Sequence, residues 1–487
     1  MTGSDVDRSW TEHEAKFSPP QRFELPDLTE FGAGEAETRV LDATYHDCAD
    51  LLLLRAGITL RHRTGDGGPR WTLKVPDSVD GAELVRRELI FPGAAGQPPA
   101  AAVDLVRAHL RGRALAPVAA LRTVRTRIPL RGNGETPLAE VVDDLVTATR
   151  GGRPVAAFRE VEVELLTELP VAHRLLDEVV DRLVHAGCLL RSAQPKLVRV
   201  LGAAPPQPPA PRSGGKHPTV REAAQQAFAR SAAALVRHDL GVRLGEDPEA
   251  VHQFRVAARR YRSDLRTFAP VLEADWRAHV QAELGWLSAQ VGPVRDDDVL
   301  VQRLRRQARS LPACDAEAVE LLLTELCAHR ARARERMLDA LRGTRYDRLL
   351  DSVENPRLTE HTGQLDELVA SQWKRLARVV RGTSAEPANQ EFHRIRIRTK
   401  RCRYAAEAAY GRHNARLARA LARLQDVLGD HQDAVLAESW LRSMAQALPQ
   451  CAVAAGELLA LQRGERARCR VEWAAAWQDA VHHYRHR

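Results

Sequence analysis

Residues 11–17 read TEHEAKF, and the spacing inside this stretch decides the fold of the first half of the chain. Glu12, Glu14 and Lys16 stand at strict two-residue intervals. Successive side chains of a β-strand point to opposite faces, so these three share one face. The alternation recurs in Arg61 with Arg63, Thr72 with Lys74, Arg86 with Glu88, Arg125 with Arg127, and Glu140 with Asp144. It recurs again as Glu160, Glu162 and Glu164, with Val161, Val163 and Leu165 on the opposite parity. Strands are predicted at 11–17, 38–46, 58–64, 70–75, 84–91, 123–130, 138–148 and 157–165, with helices near 101–111 and 171–186.

An antiparallel sheet with one solvated face also alternates polar with apolar residues. Such a face mixes Thr, Ser, Gln and Lys, whereas here Arg and Glu dominate and segregate strand by strand. Three carboxylates on one strand repel each other unless a cation neutralises them. A barrel with a charged lumen resolves this: Glu strands hold a metal ion and Arg/Lys strands hold an anion. Magnesium favours carboxylate and phosphate oxygens. Glu12, Glu14, Glu160, Glu162 and Glu164 are the candidate metal ligands, with Glu12, Glu14 and Lys16 as the catalytic set. Arg61, Arg63, Lys74, Arg125, Arg127 and Lys196 are candidates for holding that anion. Arg86 is a weaker one, because Arg87 competes for the inward position.

The ordered set Glu12–Lys16, Tyr45-His46-Asp47, Leu60-Arg61-His62-Arg63, Trp71-Thr72-Leu73-Lys74, Arg86-Arg87-Glu88 and the late Glu strand resembles the CYTH family, the triphosphate tunnel metalloenzymes. The resemblance covers about residues 8–200 and implies an eight-stranded antiparallel tunnel that binds a triphosphate with Mg²⁺ or Mn²⁺. Family members hydrolyse inorganic or thiamine triphosphate, process RNA 5′ ends, or cyclise ATP. Cys48-Ala49 departs from the small polar residue common after this tyrosine motif.

The proline-rich segment 202–218, GAAPPQPPAPRSGGKHP, reads as a semi-rigid linker. It divides a domain at 1–201 from one at 219–487. Residues 1–203 carry 26 Lys+Arg and 29 Asp+Glu, a net −3, while residues 204–487 carry 46 and 35, a net +11. The second half is rich in Ala, Leu, Arg and Glu with helical periodicity, predicting an all-α region. The fold class is therefore α+β and multidomain.

Two stretches of the second half match as H-x-x-R-[VI]-x-x-[RK]-R-x-R, beginning at His252 and at His393, 141 residues apart. A second pair, Val291–Asp296 and Leu428–Asp433, lies 137 apart. Two signatures in one order at nearly one offset predict a duplicated bundle, at about 219–350 and 360–487. On a helix, His252, Arg255, Arg259, Arg262 and Arg266 form one stripe of roughly 20 Å. His393, Arg396, Lys400 and Arg403 form the second. A solvated helix usually intersperses Glu at i+4 to relieve repulsion, yet no acid stands at these positions. Repeated His/Arg stripes point to a polyanion.

These motifs resemble the CHAD domain, the conserved-histidine α-helical domain, over about 219–487. The resemblance implies polyphosphate binding through the stripe residues together with Arg260 and Arg401. Asp296 and Asp433 follow the family pattern and are expected to orient the arginines by ion pairs.

No Cys-x-x-Cys or zinc-spaced cluster occurs, the N-terminus does not read as a secretory signal, and no run of about 18 apolar residues exists. A cytoplasmic, metal-dependent triphosphatase joined to a polyphosphate-binding module, at polyphosphate granules, is the expectation; no membrane is implied and the oligomeric state is left open. The alternatives are a non-catalytic granule protein, or an enzyme acting on a nucleotide, thiamine triphosphate or RNA 5′ triphosphate. Nucleic acid is the less favoured partner of the stripes, since no aromatic platform interleaves the arginines.

Overall fold

The computed structural model describes residues 8–20, 22–80, 83–132, 134–167, 169–191, 195–201, 219–360, 363–409 and 411–486; the side chains of 8–12, 77–80, 83–86 and 190–191 are not included. The linker expected at 202–218 lies outside the described residues. The chain forms two compact units, Met1–Ala210 and Pro211–Arg487.

The first unit is one curled antiparallel sheet with short helices packed against it. Its strands are β1 (Arg8–Glu12), β2 (Glu14–Ser18), β3 (Glu37–Asp47), β4 (Thr59–Thr64), β5 (Arg70–Asp80), β6 (Glu83–Phe91), β7 (Ala116–Leu130), β8 (Ala139–Arg150), β9 (Arg153–Leu165) and β10 (Leu189–Arg191). The interleaved helices are α1 (Leu52–Arg55), α2 (Ala100–Leu105), α3 (Arg107–Leu110), α4 (Pro170–His185) and α5 (Lys196–Leu201). All eight expected strands are present. The first is broken at His13 into β1 and β2, and β10 is added.

That break shapes the tunnel. The strand order is β1-β6-β5-β4-β3-β7-β8-β9-β2-β10. β1 pairs with β6 while β2 pairs with β9. One short stretch of chain thus joins both sides of the sheet, which must curl to let it do so. Strand parity fixes what each face buries. Val161 and Val163 of β9 are fully buried against Leu175, Leu176 and Val179 of α4, outside the curl. Burying each such side chain contributes about 1.5–3 kcal/mol, so a one-residue register slip that also buried the glutamates here is strongly disfavoured.

Asp47 is 1% exposed and does not line the cavity. Its carboxylate accepts hydrogen bonds from the backbone N–H groups of Cys48, Leu53 and Leu54 at 2.7, 3.1 and 2.9 Å. It therefore holds the entry to α1, and Tyr45 is the member of its motif that reaches the cavity.

The second unit is all helical: α6 (Val220–Leu244), α7 (Pro248–Thr267), α8 (Ala274–Ala308), α9 (Ala316–Arg342), α10 (Thr344–Glu354), α11 (Leu365–Arg381), α12 (Asn389–Ala408), α13 (Arg412–Ala447) and α14 (Ala452–Arg485). The duplication is visible in the lengths. α7 and α12 both have 20 residues, and α8 and α13 have 35 and 36. The faces opposite the stripes are buried: Phe254, Tyr261 and Leu265 on α7, Ile395, Thr399 and Cys402 on α12. Leu304, Leu323, Leu326, Leu441 and Leu458 form one core that joins α8 and α9 to α13 and α14.

His431 on α13 is 1% exposed and packs against Phe392, with ring centroids 4.4 Å apart. Burial, then the nearby Arg470 and Arg466, pushes the imidazole down to about 4. Its unfolded value is near 6.5, so the unfolded chain binds the extra proton between these limits. This contribution to stability is full above about pH 6.5 and is lost as pH falls toward 4. We expect His431→Phe to show a shallower fall of Tm across that window than the parent, measured by circular dichroism. Equal slopes would contradict the assignment.

Candidate functional site

The curled sheet encloses a cavity of about 690 Å³. Among the described residues, eight Lys/Arg side chains and six Asp/Glu side chains line it, an excess of positive charge that suits an anion. The lining gathers Glu14, Lys16, Arg61, Arg63, Lys74, Arg125, Arg127, Glu162, Glu164 and Lys196 from the sequence candidates. Glu12 and Arg86 are opposite each other in the β1–β6 ladder, but their side chains lie outside the described residues.

One carboxylate oxygen from each of Glu14, Glu162 and Glu164 comes within 4.8 Å of the others. β2 and β9 place Glu14 directly opposite Glu164, and Lys16 opposite Glu162. Lys16 Nζ donates to Glu14 Oε2 at 2.8 Å and also to Glu162. Burial alone would lower the Lys16 ammonium, but Glu14 and Glu162 outweigh it and hold it above its ordinary value. Burial would likewise raise the Glu162 carboxyl, yet Lys16, Lys196 and Arg125 hold it well below the usual carboxylate range. Glu162 is therefore ionised at neutral pH. Three converging oxygen donors, at least one fixed in its charged form, fit a hard divalent cation.

Glu160 is not in this trio. It is buried and accepts from Arg199 at 2.8 Å, with Lys196 Nζ 3.1 Å from its other oxygen. Those cations already balance it. Lys196 is itself surrounded, 2.9 Å from both Asp144 and Glu162. It acts first as counter-ion to the acidic strands, and less as an open phosphate contact.

The other cations are braced in pairs. Arg125 forks onto Asp144 at 2.8 and 2.7 Å. Arg127 reaches Glu140 at 3.1 Å, Lys74 lies 3.1 Å from Glu88, and Arg61 donates to the Tyr45 hydroxyl at 3.2 Å. Arg63 and Arg70 both donate to Asp66 Oδ2, at 3.1 and 3.0 Å. Burial, then the adjacent Arg61 charge, pulls Arg63 down to about 10. Such bracing fixes side-chain directions before a ligand arrives, which is where preorganised electrostatics gains its strength.

In the second unit the stripes of α7 and α12 form two clusters. Arg255, Arg259, Arg396 and Lys400 share one electrostatic neighbourhood with Asp433. Burial, then the charges of Arg259, Arg396 and Arg255, pushes the Lys400 ammonium down to about 6. Arg255 donates to Asp296 at 2.5 Å and to the Gly292 carbonyl at 3.2 Å. The other cluster holds Arg262, Arg266 and Arg401 with Arg375 and Arg398. Arg260 and Arg403 are tied to Glu407, the latter at 3.2 Å. His393 is exposed with Nδ1 3.0 Å from Gln432 Oε1, and the half-buried His252 is lowered by burial and then by Arg295.

Several lining residues were not among the sequence candidates. Arg70 shares the parity of Thr72 and Lys74, so alternation carried its signal. Asp66 sits in the glycine-rich β4–β5 turn, where no periodicity applies. Arg199, which pairs with Glu160 and does not line the cavity, was also missed, being on α5, a six-residue helix outside the strand pattern.

The CYTH domain family matches residues 11–182 and the CHAD domain family matches 226–442. The uncharacterized proteins MT2285 and Rv2226, from two strains of Mycobacterium tuberculosis, are each 34% identical over 482 residues, covering 91% of this chain and 90% of theirs. Among solved structures, PptA from Streptomyces chartreusis is 27% identical, with 54% of this chain and 99% of that chain covered and a TM-score of 0.45. The CHAD domain from the plant Ricinus communis is 26% identical, with 55% and 93% covered and a TM-score of 0.45. No described helix is long and apolar enough to cross a membrane. A tunnel of paired charges and two basic helical stripes, matched in order by both domain families and by full-length relatives, identify the chain as a member of the family that joins an N-terminal CYTH domain to a C-terminal CHAD domain.

Proposed function

We propose that the first unit hydrolyses inorganic triphosphate with Mg²⁺ or Mn²⁺, and that the second unit binds polyphosphate. The observation that carries the first part is the Glu14, Glu162 and Glu164 trio inside a cavity with eight cationic side chains. Glu14, Glu162 and Glu164 would hold the metal ion, which when bound supplies charge neutralisation and Lewis acidity toward phosphate oxygens. Arg61, Arg63, Lys74, Arg125 and Arg127 bind and orient the phosphates, since phosphoryl transfer depends mostly on positioning and charge stabilisation. Lys16 holds Glu14 and Glu162 in place. A lining carboxylate takes the proton of the attacking water, the bond to the terminal phosphorus breaks, and phosphate and diphosphate leave.

Inorganic triphosphate is favoured over nucleotides. Among the described lining residues the aromatic rings are those of His13 and Tyr45, and Arg61 engages the Tyr45 hydroxyl. Purified protein with Mg²⁺ or Mn²⁺ is expected to release phosphate from inorganic triphosphate and to be slower on ATP. Release only from a nucleotide or thiamine triphosphate would contradict the substrate assignment.

Asp66 modulates this site. Its carboxylate occupies Arg63 and Arg70 as a substrate phosphate would, and it sits in a turn where Gly65, Gly67 and Gly68 all have positive φ. Asp66→Asn removes the competing charge. The expected result is a KM for triphosphate lower by roughly 3–10-fold with kcat near the parent value, because charged hydrogen bonds are roughly twice as strong as neutral ones. A raised KM would show that Asp66 supports binding.

The polyphosphate reading rests on the crowding of Arg255, Arg259, Arg396 and Lys400. Fusion to the first unit would raise the local concentration of phosphoanhydride chains near the tunnel.

A further inference from the structure

At the C-terminal end of α7, where Arg266 ends the stripe, a small pocket of about 290 Å³ opens among α7, α8, α11 and α12. Arg266, Arg277, Arg375 and Arg401 converge on it, and no carboxylate lines it among the described residues. None of the four has a carboxylate partner within 4 Å among the described residues. Burial, then Arg266 and Arg398, pulls the Arg401 guanidinium down to about 10, the signature of uncompensated positive charge. Thr267, 3% exposed, also lines the pocket, and its hydroxyl has no hydrogen-bond partner among the described residues. Ser371 and Gln372 add neutral polar groups to the wall.

Other arginines of the molecule are braced by acids, among them Arg125 by Asp144, Arg255 by Asp296 and Arg243 by Asp239. Here, among the described residues, four guanidiniums have no acid beside them, Arg266 reaching only the Arg262 carbonyl at 3.4 Å, and a buried hydroxyl has no partner. We propose that this pocket is a terminal-phosphate site, which captures the end of a linear phosphate chain while the rest of the stripes, from His252 to Arg259 and from His393 to Lys400, contacts its interior. The proposal rests on the polyphosphate reading of the second unit and deepens it. A terminal phosphoryl group presents three non-bridging oxygens and a second charge that titrates near neutrality, whereas an interior group presents two oxygens and one charge. Arginine forks match such multi-oxygen groups better than single donors do. The pocket is also much smaller than the tunnel, the right scale for a chain end rather than a chain length.

Linear diphosphate has two ends and cyclic trimetaphosphate has none, so the two probes separate the idea from general anion attraction. Isothermal titration of the full-length protein in EDTA is compared with Arg277→Ala/Arg375→Ala and with Ser371→Asp, which places a carboxylate in the pocket. We expect the parent to bind diphosphate at one more site than either variant, and that site to prefer diphosphate over cyclic trimetaphosphate by at least 10-fold. Both variants should keep long-chain polyphosphate affinity within a few-fold. Their Tm without ligand should not fall, since relieving like-charge crowding costs no stability. Unchanged diphosphate stoichiometry in the variants, or equal binding of the cyclic probe at that site, overturns the end-site proposal while leaving the stripe reading intact. Failure of the parent to bind long-chain polyphosphate overturns both.

Discussion

Glu14→Gln combined with Glu164→Gln is expected to lower metal-dependent phosphate release from inorganic triphosphate by at least about 10³-fold, with the fold preserved. The magnitude follows from removing two of three metal-competent carboxylates at a site where charge stabilisation is the main catalytic resource. The choice of pair matters. Glu162 is the hub that accepts from Lys16, Lys196 and Arg125. Removing it would leave buried cations uncompensated, at about 3–5 kcal/mol, and a loss of activity could then reflect unfolding. Glu14 and Glu164 are safer: Lys16 keeps Glu162 when Glu14 is neutralised, and Glu164 is only half-buried. An unchanged Tm together with lost activity is the expected combination. Activity within a few-fold of the parent would remove these residues from the mechanism.

Arg259→Glu with Arg396→Glu is expected to weaken long-chain polyphosphate binding by at least about 10²-fold and to flatten its salt dependence. Each phosphate-neutralising cation contributes to the salt slope, and reversal both deletes a contact and adds repulsion. The same cluster predicts proton uptake. Lys400, pushed down to about 6, is largely neutral at pH 7.5 in the free protein. A polyanion beside it favours the ammonium, so binding at that pH draws in a proton. Affinity should therefore rise as pH falls from 8 to 6, and Lys400→Met should lose much of this slope. Titration in buffers of different ionisation enthalpy reads the uptake directly. No proton uptake in the parent would place Lys400 outside the binding surface.

Where a regular pattern constrained the chain, the residues alone sufficed. Strand parity placed Arg61, Arg63, Arg125 and Arg127 on the face that became the cavity lining, because a strand allows only two faces. Helical spacing with the repeated His-x-x-Arg pattern set the buried face of α7 and α12. Chemistry carried by tertiary neighbours was not legible. Nothing local shows that Glu160 is balanced by Lys196 and Arg199, since both come from a short helix well downstream. The break of the first strand at His13 was equally hidden: E-x-E-x-K reads as one strand, but closing a curled sheet requires it to pair on both sides. Asp66 and the α7-end pocket depend on a turn and on four helices meeting, which no single periodicity encodes.

The central claim is that the acidic trio and the tunnel cations form one metal–triphosphate site. Crystals grown with Mn²⁺ and inorganic triphosphate, measured at the manganese absorption edge, test it most directly. The expected result is anomalous density bounded by Glu14, Glu162 and Glu164, with triphosphate on Arg61, Arg63 and Arg125. Manganese density confined to Glu160 and Asp144, or a tunnel that takes up no triphosphate while the metal binds elsewhere, would contradict it.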